Sequence, residues 1–208
     1  MILRNLFPIF ILLAVACKEN SDKPQVTENS VEEPTETVDA FTIEDIYNFA
    51  KSKTLDAHFS EDAILETKNW IEEDSLEVVT LKIYPDTPKE LLINYTNINK
   101  TSVYSIEVYA YDSPWKSKTG IYMGMPVDEL EKLNEKPLTF LGYEWDYAGA
   151  VDFENGVLSS DTLFVYLGTD GDVEMPADFI GSEVKITAKQ AKSHKIEFKV
   201  TGLMYRPN

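Results

Sequence analysis

The sequence predicts an α+β fold: a mostly antiparallel sheet with two short helices, placed after a signal peptide and a disordered tether. Three observations predict it. Short runs such as Val79-Thr80-Leu81-Lys82-Ile83 alternate apolar and polar residues, the period of a half-buried strand. Turn-forming clusters, among them Pro85-Asp86-Thr87-Pro88, Asn155-Gly156 and Asp170-Gly171, separate these runs at short intervals. Only two segments, near residues 43–53 and 127–134, carry apolar residues at helical spacing.

The chain begins with a targeting segment, residues 1–16. Arg4 supplies a basic start, Leu6–Leu13 an apolar stretch, and Ala14-Val15-Ala16 a small-residue site before Cys17. The stretch is shorter than the roughly 18 apolar residues that a membrane span needs. Cys17 is the only cysteine, so no disulfide framework or thiolate metal cluster is predicted. Leu13-Ala14-Val15-Ala16-Cys17 resembles a bacterial lipobox, with Ala14 where that family usually has Leu. The resemblance implies a diacylglyceryl group on the Cys17 thiol and a mature chain that starts there. One acyl chain binds a bilayer only marginally, at about 0.8 kcal/mol per buried CH2, and two anchor it stably.

Residues 17–40 read as the lipidated cysteine and an acidic tether. After Cys17, two lysines stand against seven carboxylates, large apolar residues are absent, and Pro24 and Pro34 break any helix. As a coil the segment spans about 25–30 Å. Cys17-Lys18-Glu19-Asn20-Ser21-Asp22 resembles the surface-export signal of Bacteroidota lipoproteins, which implies display at the cell surface over the inner leaflet of the outer membrane.

Residues 41–208 form the predicted domain. Thr42 is an N-cap with Asp45 three residues on, and Ile43, Ile46, Tyr47 and Ala50 share a face, so a helix is expected to about Lys53. Strands are expected over Ile64–Ile71, Val78–Tyr84, Leu91–Tyr95 and Val103–Tyr111, the last with Tyr104, Ile106, Val108 and Ala110 on one face. Ile121–Met125 reads as a short strand. Pro126 suits a first helical turn, Asp128 and Glu129 sit where the dipole favours them, and Val127, Leu130 and Leu133 give an apolar face. Asn134 and Pro137 end that helix. A meander follows: Leu138–Tyr143, Trp145–Phe153, an Asn155-Gly156 hairpin turn, Val157–Leu167, Val184–Ala188 and Ile196–Tyr205.

Gly124-Met125, Glu129-Leu130, Leu133 and Pro137 resemble the helix motif of the SmpA/OmlA barrel-assembly lipoproteins, which the β-lactamase-inhibitor-protein fold shares. Glu135 stands where that pattern has Gly. Asn134, Lys136 and Pro137, with Gly142, Trp145, Asp146, Tyr147 and Gly149, resemble a broader group of uncharacterised Bacteroidota lipoproteins. The first resemblance implies a fold unit. The second implies an envelope lipoprotein and brings no activity with it.

The formal net charge is −17, and loss of Arg4 with the signal makes the mature chain −18. Such a chain repels phosphate backbones and anionic lipid, so nucleic acid is not a predicted partner and the membrane is reached through the anchor alone. No Gly-x-Ser-x-Gly elbow or phosphate loop is present, and His58 and His194 have no neighbouring ligand pattern. No catalytic residue and no cofactor is predicted. Asp170, Asp172 and Glu174 are a weak calcium candidate by their alternate spacing. Met175 and Gly181 fall where an EF-hand needs Gly and Glu, so that motif fails. Trp115, Tyr143, Trp145 and Tyr147 are candidate binding contacts, since exposed aromatics stack on sugars or partner proteins.

The sequence therefore predicts a membrane-anchored outer-membrane or surface lipoprotein serving as a non-enzymatic binding or scaffold module with an envelope protein partner. The alternatives are an inhibitor-like module that blocks a hydrolase through its sheet face, and an enzyme acting on glycan. Alkynyl fatty acid supplied to cells should label the wild-type chain. Labelling that persists in Cys17→Ser would refute the anchor.

Overall fold

The computed structural model describes residues 41–71, 76–110 and 112–207. Cys17, the tether and the Glu72–Asp74 turn lie outside the described residues. Helix α1 (Ile43–Ser52) starts as expected. The Thr42 hydroxyl accepts from the Asp45 amide at 3.3 Å, and the Asp45 carboxylate accepts from the Thr42 amide at 3.0 Å. Burial pushes the Asp45 carboxyl up, but its bonds to Lys118 and Thr42 outweigh this and hold it below the usual carboxylate range. Ile43, Ile46 and Ala50 form the buried stripe. Full burial of the two isoleucines stabilises by about 1.5–3 kcal/mol each. Lys53, in the left-handed conformation, stops the helix.

The strands are β1 (Ile64–Ile71), β2 (Leu76–Ile83), β3 (Leu91–Tyr95), β4 (Val103–Val108), β5 (Thr139–Leu141), β6 (Val151–Asp152), β7 (Leu163–Gly168), β8 (Lys185–Thr187) and β9 (Lys199–Tyr205). Six of them form an antiparallel sheet in the order β1-β2-β3-β4-β9-β7, and β6-β5-β8 form a small second sheet. Helix α1 packs on β4 and β9. The face it covers carries Leu81, Ile93, Ile106, Val108, Val165 and Leu203, all buried. The fold class predicted from the sequence is the one observed, with a third helix added.

Helix α2 (Val127–Asn134) buries Val127 and Leu130, with Pro126 at the N-cap rather than inside the first turn. The expected strand at Ile121–Met125 is not one. It is an irregular segment that bonds to the start of β9 through Gly124 N to Val200 O at 2.8 Å and Val200 N to Met125 O at 2.9 Å. The left-handed φ of 87° and 84° at Gly120 and Gly124 breaks regular pairing there.

Other departures have local causes. Strand β4 ends at Val108, and Tyr104 is 48 % exposed while Ile106 and Val108 are buried, against the expectation that the three share a face. The register shifts between Asn94 opposite Ser105 and Tyr95 opposite Val103, so Tyr104 is the extra residue of a bulge. The expected Trp145–Phe153 strand shrinks to β6, and Val157–Leu167 to β7. These two strands belong to different sheets, so Asn155-Gly156 joins no hairpin; Glu154 and Asn155 take the positive φ values there. Helix α3 (Ala188–Ser193) replaces the end of the expected Val184–Ala188 strand. Thr187 and Gln190 cap it reciprocally.

The end of α2 is fixed by Asn134, which is fully buried. Its Nδ2 donates to Lys136 O at 3.1 Å and Phe153 O at 3.0 Å, and its Oδ1 accepts from Leu158 N at 3.2 Å. Gly156 lies flat against the same amide, where an added Cβ would sit 2.1 Å from Oδ1. Asn134→Ala leaves the Phe153 carbonyl and the Leu158 amide without that partner in the interior, and frees the partly buried Lys136 carbonyl. It should cost about 2–4 kcal/mol in urea unfolding, and a near-neutral result would contradict this account.

Candidate binding surface

Two of the four aromatic candidates are structural. Trp115 is completely buried, and its indole Nε1 donates to Lys89 O at 2.8 Å, so the expected binding contact is instead part of the core. A run of irregular chain carries it inward, where its area is worth most to the core. Tyr143 is half-buried, stacks on Phe198 at 5.6 Å between ring centres, and donates its hydroxyl to Leu167 O at 2.7 Å. Burial pushes its phenol up.

Trp145 and Tyr147 are on the surface, 59 % and 71 % exposed. They stand on the loop that follows β5, where Glu144-Trp145-Asp146-Tyr147 are all exposed. The loop is held at its base. Gly149 N donates to Leu141 O at 3.1 Å, and Gly149 O accepts from Leu167 N at 2.8 Å, tying it to both sheets. Gly149 has φ 73°, and a Cβ there would meet Leu167 O at 2.0 Å, so only glycine fits. Glu144 and Tyr147 also adopt left-handed φ, 66° and 64°. An aromatic residue in that conformation is uncommon and is kept only where its surroundings fix it.

The loop borders the face of the main sheet opposite α1. Ala150 pairs with Tyr166 across the edge of β7. Residues from neighbouring strands line up on this face in register: Lys82, Leu92, Glu107, Met204 and Phe164 form one row. Beside it, Tyr109 lies across Gly202 toward Tyr166; a Cβ on Gly202 would come 2.9 Å from the Tyr109 ring. Tyr104 and Tyr109 are each 48 % exposed. Burial first, then Glu107, pushes the Tyr109 and Tyr166 phenols up. Arg206 lies over the Tyr104 and Phe164 rings at 5.6 Å and 5.0 Å. The β2–β4 part of the face is polar: Glu107 accepts from Ser105 at 2.5 Å and Asn94 at 2.9 Å. No helix among the described residues covers this face.

The metal candidate is not assembled. Asp170 forms an ion pair with Lys199, and no group of three His, Cys, Asp or Glu able to hold a metal occurs among the described residues. His194 meets Asp178 at 3.1 Å, and His58 stacks on Phe49 at 3.7 Å. A groove of about 690 Å3 opens beside α1 over Leu55, Phe59, Leu81 and Tyr95. Its rim carries Glu66, ion-paired to Lys100 at 2.7 Å.

No helix among the described residues is long and apolar enough to cross a membrane. No protein-family model matches the chain, and no curated protein is similar to it. Among solved structures it is similar to the uncharacterised protein YfeY of Escherichia coli, at 14 % identity and a TM-score of 0.41, over 75 % of this chain and 88 % of that one.

One signal in the sequence bears on the surface and was not among the expectations above. Residues 138–184 contain ten carboxylates and no lysine, arginine or histidine. The Trp145 loop lies within that stretch. In acrylamide quenching, Trp145→Phe should remove an accessible component of the fluorescence and leave the melting temperature unchanged. Trp115→Phe should keep that component and lower the melting temperature. The reverse pattern would mean the two residues have been assigned to the wrong environments.

Proposed function

We propose that this chain is a membrane-anchored outer-membrane or surface lipoprotein of the Bacteroidota kind, acting as a non-enzymatic binding or scaffold module. The observation that carries the binding reading is the uncovered aromatic face of the main sheet with the Trp145–Tyr147 loop at its border. Tyrosine and tryptophan there combine large apolar area with a polar tip, the composition of surfaces that bury on contact with a partner yet stay wet alone. The anchor reading rests on Cys17 and the acidic tether, which leave the domain tens of ångströms of reach. A partner in the envelope is the natural occupant for a body held there. The same flat face also suits the second reading, in which the module blocks a hydrolase.

Crosslinking in cells followed by capture from detergent-solubilised envelopes separates these readings. A membrane-protein partner lost in the Trp145→Ala/Tyr147→Ala double variant supports the scaffold. A soluble hydrolase lost in the same variant supports the inhibitor. Capture that is indifferent to both this pair and Tyr109→Ala would remove the face from the proposal.

A further inference from the structure

We infer that the Trp145–Tyr147 loop and the adjoining β7 edge take an arginine-bearing segment of a partner protein, the loop aromatics covering the guanidinium planes and Glu144 and Asp146 meeting their charge. This rests on the binding reading above and gives its partner a chemistry.

Charge complementarity decides the occupant. At the far end of the same face the chain supplies its own cation: Arg206 lies over Tyr104 and Phe164 and donates to the Tyr104 hydroxyl at 3.1 Å. No cation lies over Trp145 or Tyr147 among the described residues. Residues 138–184 have none to offer. The nearest lysines in sequence are engaged elsewhere, Lys136 to Asn155 O at 2.8 Å and Lys185 to Asp152 at 3.0 Å. Glu144 and Asp146 form no salt bridge among the described residues, although they flank the most exposed tryptophan and tyrosine described.

The loop geometry suits this occupant. Its sequence alternates carboxylate and ring, Glu144-Trp145-Asp146-Tyr147, and its base is pinned to both sheets through Gly149. Pinning keeps the rings displayed without the partner, so less ordering entropy is lost on contact. An arginine suits the site better than a lysine, because its planar, weakly hydrated head stacks on a ring while donating sideways to carboxylates. Anionic and neutral segments lack the charge that Glu144 and Asp146 are left holding.

Anisotropy of a fluorescein-labelled (Arg-Gly-Gly)4 peptide tests this on the full-length chain purified in detergent. The expected result is saturable binding that weakens with salt and exceeds that of the lysine counterpart. Trp145→Ala/Tyr147→Ala, which leaves the charge unchanged, should weaken it about fivefold. Glu144→Gln/Asp146→Asn should weaken it by a similar factor. Asp56→Asn/Glu61→Gln removes the same charge beside α1 and should leave the affinity within about twofold, since distant charge is screened. Equal loss in both charge variants would reduce the effect to net charge and overturn the inference, as would absence of binding. Near-ultraviolet circular dichroism confirms that each variant is folded. If the peptide fails while the aromatic double variant still releases a captured envelope partner, the binding reading stands and the cationic partner falls. If neither depends on these rings, both fall.

Discussion

The amide of Asn134 is a constraint through which much of the second half of the chain is positioned. Three backbone groups, from Lys136, Phe153 and Leu158, use one buried side chain as their hydrogen-bond partner. In an interior where an unmade bond is costly, this fixes where α2 ends and how the chain leaves it. It also fixes the return path at residues 153–158, with Gly156 closed against the amide face. The chain between those points forms β5, the exposed loop and β6. The placement of Trp145 therefore depends on a polar contact remote from the rings themselves.

The second determinant is asymmetry of cover. Helix α1 packs over one face of the six-stranded sheet, where branched aliphatic residues are buried. The other face carries tyrosine, methionine and phenylalanine beside Asn94, Ser105 and Glu107. That mixture tolerates water because each ring presents a polar tip or lies beside a charged group. An antiparallel sheet can have one wet face, and this one holds rings on its wet face as well as charged and polar groups.

Much of the architecture was legible because its signals were local. Strands β1 and β3 occupy the expected residues, and α1 begins at the expected capping box. The errors arose where the information was not local. Tyr104 turns outward because of a bulge opposite Tyr95, and alternation along one strand cannot reveal a register shift in its neighbour. Trp115 and Trp145 looked equivalent as aromatics near turns; only the folded chain sorts one inside and one outside. The loop at 144–149 uses left-handed backbone at Glu144 and Tyr147, residue types that do not announce it. Helix α3 was readable, since Thr187 and Gln190 stand at capping-box spacing, but its six residues are too few to show a period. The charge asymmetry of residues 138–184 was in plain view, and it acquired meaning only once the loop was placed beside an uncovered face.

The pairing of Gly149 and Ala150 with β7 also bears on self-association. A sheet ends wherever a strand has unused backbone donors and acceptors, and such a rim invites another copy to add a strand. At β7 the chain folds its own loop against the rim, with Gly149 O meeting Leu167 N and Ala150 bridging Tyr166. At the opposite rim, β1 carries the exposed charged side chains of Glu66 and Lys68, whose hydration is lost if the edge is covered. One rim is occupied and the other is guarded by charge. Copies held close together thus have no easy route to merging their sheets, and the aromatic face can stay exposed without becoming a seed for fibres.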